Sequence, residues 1–416
     1  MPTLLRGGTL LDGTGAAPRP NPGLLIHGER IAAIGDEAEV SAPPGATTYD
    51  CTGGTIMPGL IDCHDHMVHT NRDLNERSTR PLSLTMMMVA QNLRETVEGG
   101  FTTIRDAGGL DLGFKLAIEQ GLVVGPRLLI SLSILSRTGG LDDHHTRSGV
   151  DLSWRNLPGL PSPIVDGMEE CRKRVRELLH AGADVIKCAA TGGVSSQTLT
   201  ATSQLLTLVE LQTIVEEAAM MEKKVMCHAH GGPGLKAAID AKVHSIEHGL
   251  LLGRTPDWLK QMADQGTFYV PTLRVLNLHR VQGTPWGMAK ANAMYDDAAR
   301  TLEAATKAGV KIAMGSDAGA YGHGRNGAEV MHLVEAGFTP MQAIVSGTRT
   351  ASECLGMDAD IGTLEVGKFA DIIVADGDPL ADVSLLDGGA HLSLVLKGGI
   401  AHVHKISALS PIEVHV

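Results

Sequence analysis

Between Thr55 and Ser316 the chain alternates short apolar runs with stretches of helical spacing, and no other feature limits its fold as strongly. The strand-like runs are Thr55–Cys63, Thr102–Asp106, Arg127–Ser131, Asp184–Ala189, Lys224–His228, His244–His248, Thr267–Pro271 and Lys311–Ser316. Helical patterns such as Leu208–Lys223 and Met288–Ala308 fall between them. Such an alternation predicts an α/β protein whose strands run parallel, and eight strand–helix units match a (β/α)8 TIM-type barrel. A doubly wound open sheet is the rival. It normally carries a Gly-rich phosphate turn after its first strand, whereas the first run here ends in His64-Asp65-His66.

A barrel of this kind takes about 250 residues, which leaves a remainder at both ends of this 416-residue chain. Both ends read as short strands punctuated by turns. Thr3–Leu5, Thr9–Leu11, Leu24–His27 and Arg30–Ile34 lie at the start, and Asp371–Ala375, Leu392–Lys397 and Ile400–His404 near the end. We expect one small β-sandwich domain assembled from residues 1–55 and 365–416, with the barrel over 56–364. A long connection, Leu132–Gly167, follows the third run and holds Trp154, Pro158, Pro161 and Pro163. Loops of this length are functional or disordered, and the first reading makes it a cover over the substrate.

A net charge of −12 argues against nucleic acid as a partner, because phosphate binding needs a basic surface. None of the six cysteines forms a CxxC pair, and a chain this long needs no disulfide framework. They read as reduced thiols of a cytoplasmic protein. The start, MPTLLRGGTLLDGTG, has no apolar run of signal-peptide length, and no stretch reaches the roughly 18 apolar residues of a membrane span. The expected partners are a small-molecule substrate and further copies of the chain in a homo-oligomer.

Metal-ligating residue types recur at the carboxyl ends of five runs. His64 and His66 stand two apart, so they face the same side of a strand end. Lys187 lies inside the apolar run Val185–Ala189, where an ammonium is costly unless it is paired, modified or able to reach solvent. His228 and His230 repeat the two-apart spacing, His248 ends the sixth run, and Asp317 follows the eighth. In a barrel these ends converge on the face that holds the active site. Neutral imidazole is the commonest metal ligand, and independent placement of such residues at five strand ends is improbable.

This pattern resembles the amidohydrolase superfamily over nearly the whole chain. GLIDCHDH, the TGG loop, CHAHGG, SIEHG and the GSDAG…HGRN segment are similar to its prolidase-like and imidazolonepropionase-like branch. That branch includes Xaa–amino acid dipeptidases with carboxypeptidase character and ochratoxinase relatives. The resemblance implies two divalent ions. His64 and His66 would hold the more buried one with Asp317, His228 and His248 would hold the second, and a carboxylated Lys187 would bridge them. Imidazole, carboxylate and carbamate ligands suit Zn²⁺ best, with Mn²⁺ or Co²⁺ as alternatives. The branch often shows TGGHG after its third strand, whereas Thr138-Gly139-Gly140 here runs into Leu141-Asp142-Asp143-His144-His145.

Two such ions make hydroxide available from a bridging water near neutral pH. Asp317 is then the expected proton acceptor, and it returns the proton to the leaving amine. His230 has two readings, a donor to the developing oxyanion or a supporting core histidine. His145, Tyr269, Arg274 and His323 are candidates for substrate binding. Ser195-Ser196 lacks a G-x-S-x-G context, and Cys63 and Cys227 alternate with metal histidines, facing away from the centre. The expected reaction is hydrolysis of an amide bond in dipeptides or N-acyl amino acids. Hydrolysis of another amide, a carbamate, a cyclic amide or a lactone stays open, as does a non-catalytic metal-binding scaffold.

Overall fold

The computed structural model describes residues 2–71, 73–152, 160–319, 321–406 and 408–409. Backbone contacts divide the chain into two compact units, one of residues 1–62, 94–103 and 324–416 and the other of 63–93 and 104–323.

The first unit holds two sheets. One runs in the order Ala408–Leu409, Thr47–Asp50, Thr3–Arg6, Pro22–His27, Arg30–Asp36. The other runs Ile400–His404, Leu392–Lys397, Ile372–Ala375, Thr55–Pro58, Thr9–Leu10, Arg19–Pro20. Each sheet therefore mixes strands from both ends of the chain. Inward-facing side chains of both sheets join one apolar cluster, which includes Leu5, Leu24 and Ile26 with Ile56, Val374 and Leu394. Full burial of each such side chain contributes about 1.5–3 kcal/mol.

In the second unit Ile134–Leu135, Val185–Ala189, Lys224–Ala229, Ser245–His248 and Phe268–Val270 pair in chain order, every pair parallel. Their nearly continuous burial is the mark of strands covered on both faces. Helices intervene and begin where their sequences cap them. Thr207 and Glu210 form a reciprocal capping box before Leu208–Ala219, and Thr284 accepts from the Gly287 N–H ahead of Pro285–Lys307. A further sheet pairs Leu60–Asp65 with Phe101–Asp106 and Phe101–Asp106 with Arg127–Ile130.

Backbone hydrogen bonds continue the parallel ladder at both ends. The Asp184 N–H donates to Ile130 O at 2.8 Å. At the other end the Tyr269 N–H donates to Lys311 O and the Ala313 N–H to Tyr269 O, both at 2.9 Å. The 311–318 segment then meets the His64 strand, with the Cys63 N–H on Met314 O at 3.0 Å and the Asp317 N–H on His64 O at 2.7 Å.

Two expected strands differ. Thr55–Cys63 is not one strand but two, Thr55–Pro58 and Leu60–Asp65, in different sheets. They part at Gly59, where a Cβ would lie 2.3 Å from the Thr102 side chain, so only glycine allows that approach. Lys311–Ser316 is bonded on both sides but irregular, with only Ile312 in a ladder bridge. There a Cβ on Gly315 would stand 2.4 Å from Val270 and 2.8 Å from His64.

In the long connection Ser136 bridges Ile164 and His145 bridges Asp151, while Trp154 and Pro158 lie outside the described residues. All six cysteines are free thiols and buried, Cys63 and Cys227 included. Among the described residues no helix is long and apolar enough to cross a membrane.

Candidate active site

The carboxyl ends of the second unit's strands bring the sequence-marked residues around one cavity of about 540 Å³. His64, His66, Lys187, His228, His248 and Asp317 all line it. Asp317 Oδ1 stands 3.8 Å from His64 Nε2 and 3.5 Å from His66 Nε2. Those separations are longer than a hydrogen bond between such groups and are the span that two ligands of one ion leave between them. The three donors lie within 4.8 Å of one another. Beside them the rings of His64 and His248 are 4.8 Å apart, and those of His248 and His228 are 4.5 Å apart.

Each histidine is oriented by a partner. The carboxylate of Glu247 accepts from His64 Nδ1 at 2.7 Å, and the Gly108 carbonyl accepts from His66 Nδ1 at 3.2 Å. His248 Nδ1 is 2.7 Å from the Thr272 hydroxyl, and His228 Nε2 is 3.3 Å from Gly192 O. Because carboxylate and carbonyl oxygens only accept, the bonded nitrogens of His64, His66 and His228 carry the proton and the opposite nitrogen carries the lone pair. Burial is the main reason that His64, His228 and His248 titrate well below the usual imidazole range, helped by Lys187, His230 and His228 respectively. Neutral imidazoles are the metal-binding form.

Lys187 is 1 % exposed, and among the described residues its Nζ has no hydrogen-bond partner. Burial pulls its pKa down against the attraction of Glu247 and Asp317. A neutral amine is the form that reacts with CO₂, so the site suits carbamate formation. Of the three sequence readings, solvent access and ion pairing do not describe this side chain among the described residues.

Three residues at the centre have left-handed backbone: His248 at φ 70°, Thr272 at φ 52° and Asp317 at φ 51°. Such conformations cost non-glycine residues of order 1–3 kcal/mol each and collect at functional sites.

His230 also lines the cavity, and its Nδ1 is buried without a hydrogen-bond partner among the described residues. Burial, then the charge of His279, hold its pKa at about 3. The four substrate-binding candidates lie elsewhere. His145 is exposed and bonded to Asp143 at 2.8 Å, while its neighbour His144 lines the cavity instead. Tyr269 is fully buried and donates to His248 O at 3.1 Å. Arg274 donates to Gly322 O at 3.2 Å, and His323 is buried 3.4 Å from Asp65. None of these four lines the cavity.

Sequence reasoning did not single out His144 or His279, nor Thr272 and Glu247 as supports. Only Glu247 had a signal, as the carboxylate inside the apolar run before His248. The wall also carries apolar side chains from Leu141, Val275, Leu276 and Trp286. A more open groove of about 650 Å³ on helix Met168–His180 holds no ligand set, and Arg172 and Arg176 there both pair with Glu217.

Comparison with known proteins points to one family. Residues 55–401 match the model described as "Amidohydrolase family". The chain is 32 % identical over 397 residues to the ochratoxinase of Aspergillus niger, covering 91 % of this chain and 82 % of that one. A crystal structure of a prolidase complexed with N-methylphosphonate-L-proline superposes with a TM-score of 0.89 at 34 % identity, covering 96 % of this chain and 99 % of that one. A Xaa-Pro dipeptidase with bound methionine in its active site is 30 % identical, with a TM-score of 0.86 and the same coverages.

Proposed function

The chain belongs to the amidohydrolase family and is a hydrolase of amide bonds; from that premise we propose that it cleaves dipeptides or N-acyl amino acids at a centre of two divalent ions, releasing the C-terminal amino acid. We read the parallel ladder as an eight-stranded barrel over residues 56–364 and the two remaining sheets as a β-sandwich of 1–55 and 365–416. His64, His66 and Asp317 would hold one ion, His228 and His248 the other, and a carboxylated Lys187 both. The observation that carries this reading is Lys187, a buried amine without a hydrogen-bond partner among the described residues, lining one cavity with four metal-competent imidazoles and a carboxylate. Carboxylation turns that costly amine into a ligand oxygen.

Bound there, two Zn²⁺ ions supply Lewis acidity and a water acidic enough to act as a nucleophile near neutrality. This chain's residues do the rest. Asp317, one-fifth exposed at the cavity floor, accepts the proton of the attacking water and delivers it to the leaving amine. His230, neutral because its pKa lies near 3, donates an N–H to the carbonyl oxygen as charge develops on it. Leu141, Val275, Leu276 and Trp286 exclude water and favour an apolar acyl group. The 132–152 segment covers substrate through Leu141 and His144.

The substrate class draws on the relatives. N-Methylphosphonate-L-proline is complexed with one, methionine is bound in the active site of another, and a third is named for ochratoxin. The test is a panel of Xaa–amino acid and N-acyl amino acid substrates, each with a free and an amidated carboxyl terminus. We expect turnover that disappears on amidation. Equal rates on both forms would refute the reading.

A further inference from the structure

The strand Phe101–Asp106 contributes no ligand to the centre, yet it ends in two buried charged residues. Arg105 is 1 % exposed and the bulkiest fully buried side chain among the described residues. A buried guanidinium costs several kcal/mol unless well paired, and a buried ion pair is often replaceable by apolar residues without loss of stability. Its retention therefore asks for another reason.

Arg105 Nε donates to Cys63 O at 2.6 Å and Nη2 to Glu247 Oε1 at 3.0 Å. Glu247 is itself fully buried, takes a further bond from the Ser245 hydroxyl, and accepts from His64 Nδ1 through its other oxygen. The pair thus dictates which nitrogen of His64 carries the proton, and turns Nε2 toward Asp317. Asp106 acts on the neighbouring histidine. Its Oδ2 accepts from the Met67 N–H at 3.0 Å, directly after His66. Its Oδ1 accepts from the N–H groups of Gly108 and Leu110, at 3.0 and 3.3 Å. These bonds shape the turn whose Gly108 carbonyl accepts from His66 Nδ1. That turn needs glycine, since Gly108 has φ +134° and a Cβ would lie 2.7 Å from Ile134.

We propose that Arg105, acting through Glu247, and Asp106, acting through the Gly108 turn, are positioning residues that set ring orientation and tautomer for His64 and His66. One strand end would then build the site of the first ion without touching it. This rests on the reading that those histidines and Asp317 hold an ion.

The experiment titrates chelator-treated wild type, Glu247→Gln and Asp106→Asn with Co²⁺ and with Zn²⁺. Bound metal, the visible Co²⁺ spectrum and circular dichroism are followed together. Wild type should take two ions. Each folded variant should bind one ion as wild type does and the other 10–100-fold more weakly, with the spectrum of that ion altered. A folded variant that takes both ions with wild-type affinity and spectrum overturns the proposal. Wild type that binds one ion overturns the two-ion reading alone, and the variants must then weaken that ion; wild type that binds none overturns the proposal as well. Should Glu247→Gln not fold, Asp106→Asn and a comparison of Arg105→Lys with Arg105→Gln decide, the lysine variant recovering part of the lost affinity.

Discussion

Replacing Lys187 by methionine should stabilise the metal-free protein and abolish its activity. The lysine stem is packed in a strand that is buried throughout, and methionine keeps its length and most of its volume. What disappears is a terminal nitrogen, 1 % exposed as part of its residue, that has no hydrogen-bond partner among the described residues. Holding such a polar group away from water costs about 1–3 kcal/mol by mutational measure. Chelated Lys187→Met should therefore exceed chelated wild type by about that amount in urea unfolding, read as a higher midpoint at unchanged m-value. In the loaded protein the sign should reverse, because the carbamate proposed for Lys187 would be lost. Metal per chain should fall, the intact mass should no longer carry an added CO₂, and amide hydrolysis should vanish. A chelated variant less stable than wild type, or one that keeps two ions and full turnover, would refute the reasoning.

The other expectations concern neighbouring groups. Asp317→Asn should lower kcat about 10²–10⁴-fold with little change in KM, measured on a variant whose circular dichroism is unchanged; retained kcat would remove Asp317 as the proton carrier. His144→Ala should raise KM about tenfold through loss of a cavity contact, whereas His145→Ala, exposed and outside the cavity, should leave KM within twofold; steady-state kinetics on both variants separate the neighbours. Burial holds His323 at about 4 against 6.5 unfolded, so the unfolded chain binds more protons between those values. The stability that neutral His323 provides is complete above pH 6.5 and is lost as pH falls toward 4, amounting to about 2 kcal/mol at pH 5. His323→Gln should flatten the acid limb of stability in the metal-free protein, and unchanged slopes in paired unfolding curves would count against it.

The residues of the proposed centre could be picked out because parallel strands put chemistry at their carboxyl ends and because residues two apart share a face. His64, His66, Lys187, His228, His248 and Asp317 could be read off that geometry and the family resemblance, and all six line one cavity. The substrate wall was not legible in the same way. Tyr269 and Arg274 stand near a strand end, but their side chains bond to His248 O and Gly322 O rather than reaching the cavity. No spacing rule distinguishes His144 from His145 in an irregular loop, and the one facing inward is decided by the local backbone. Gly59 looked like part of one apolar run, because its role depends on how close Thr102 comes. Glu247 showed only as a carboxylate inside an apolar run, and its pairing with Arg105 stayed silent, since a buried ion pair between distant strands leaves no periodic trace.

Asp317, His248 and Thr272 all adopt backbone angles that glycine would hold with less strain. Glycine at any of the three would relieve roughly 1 kcal/mol of backbone strain while deleting a side chain of the proposed centre. At buried His248 and Thr272 the exchange would also open a cavity and break their mutual hydrogen bond, so the strain is held in place by the packing around it. Engineering for heat resistance should leave this trio untouched and seek its gains in the sheets of the first unit.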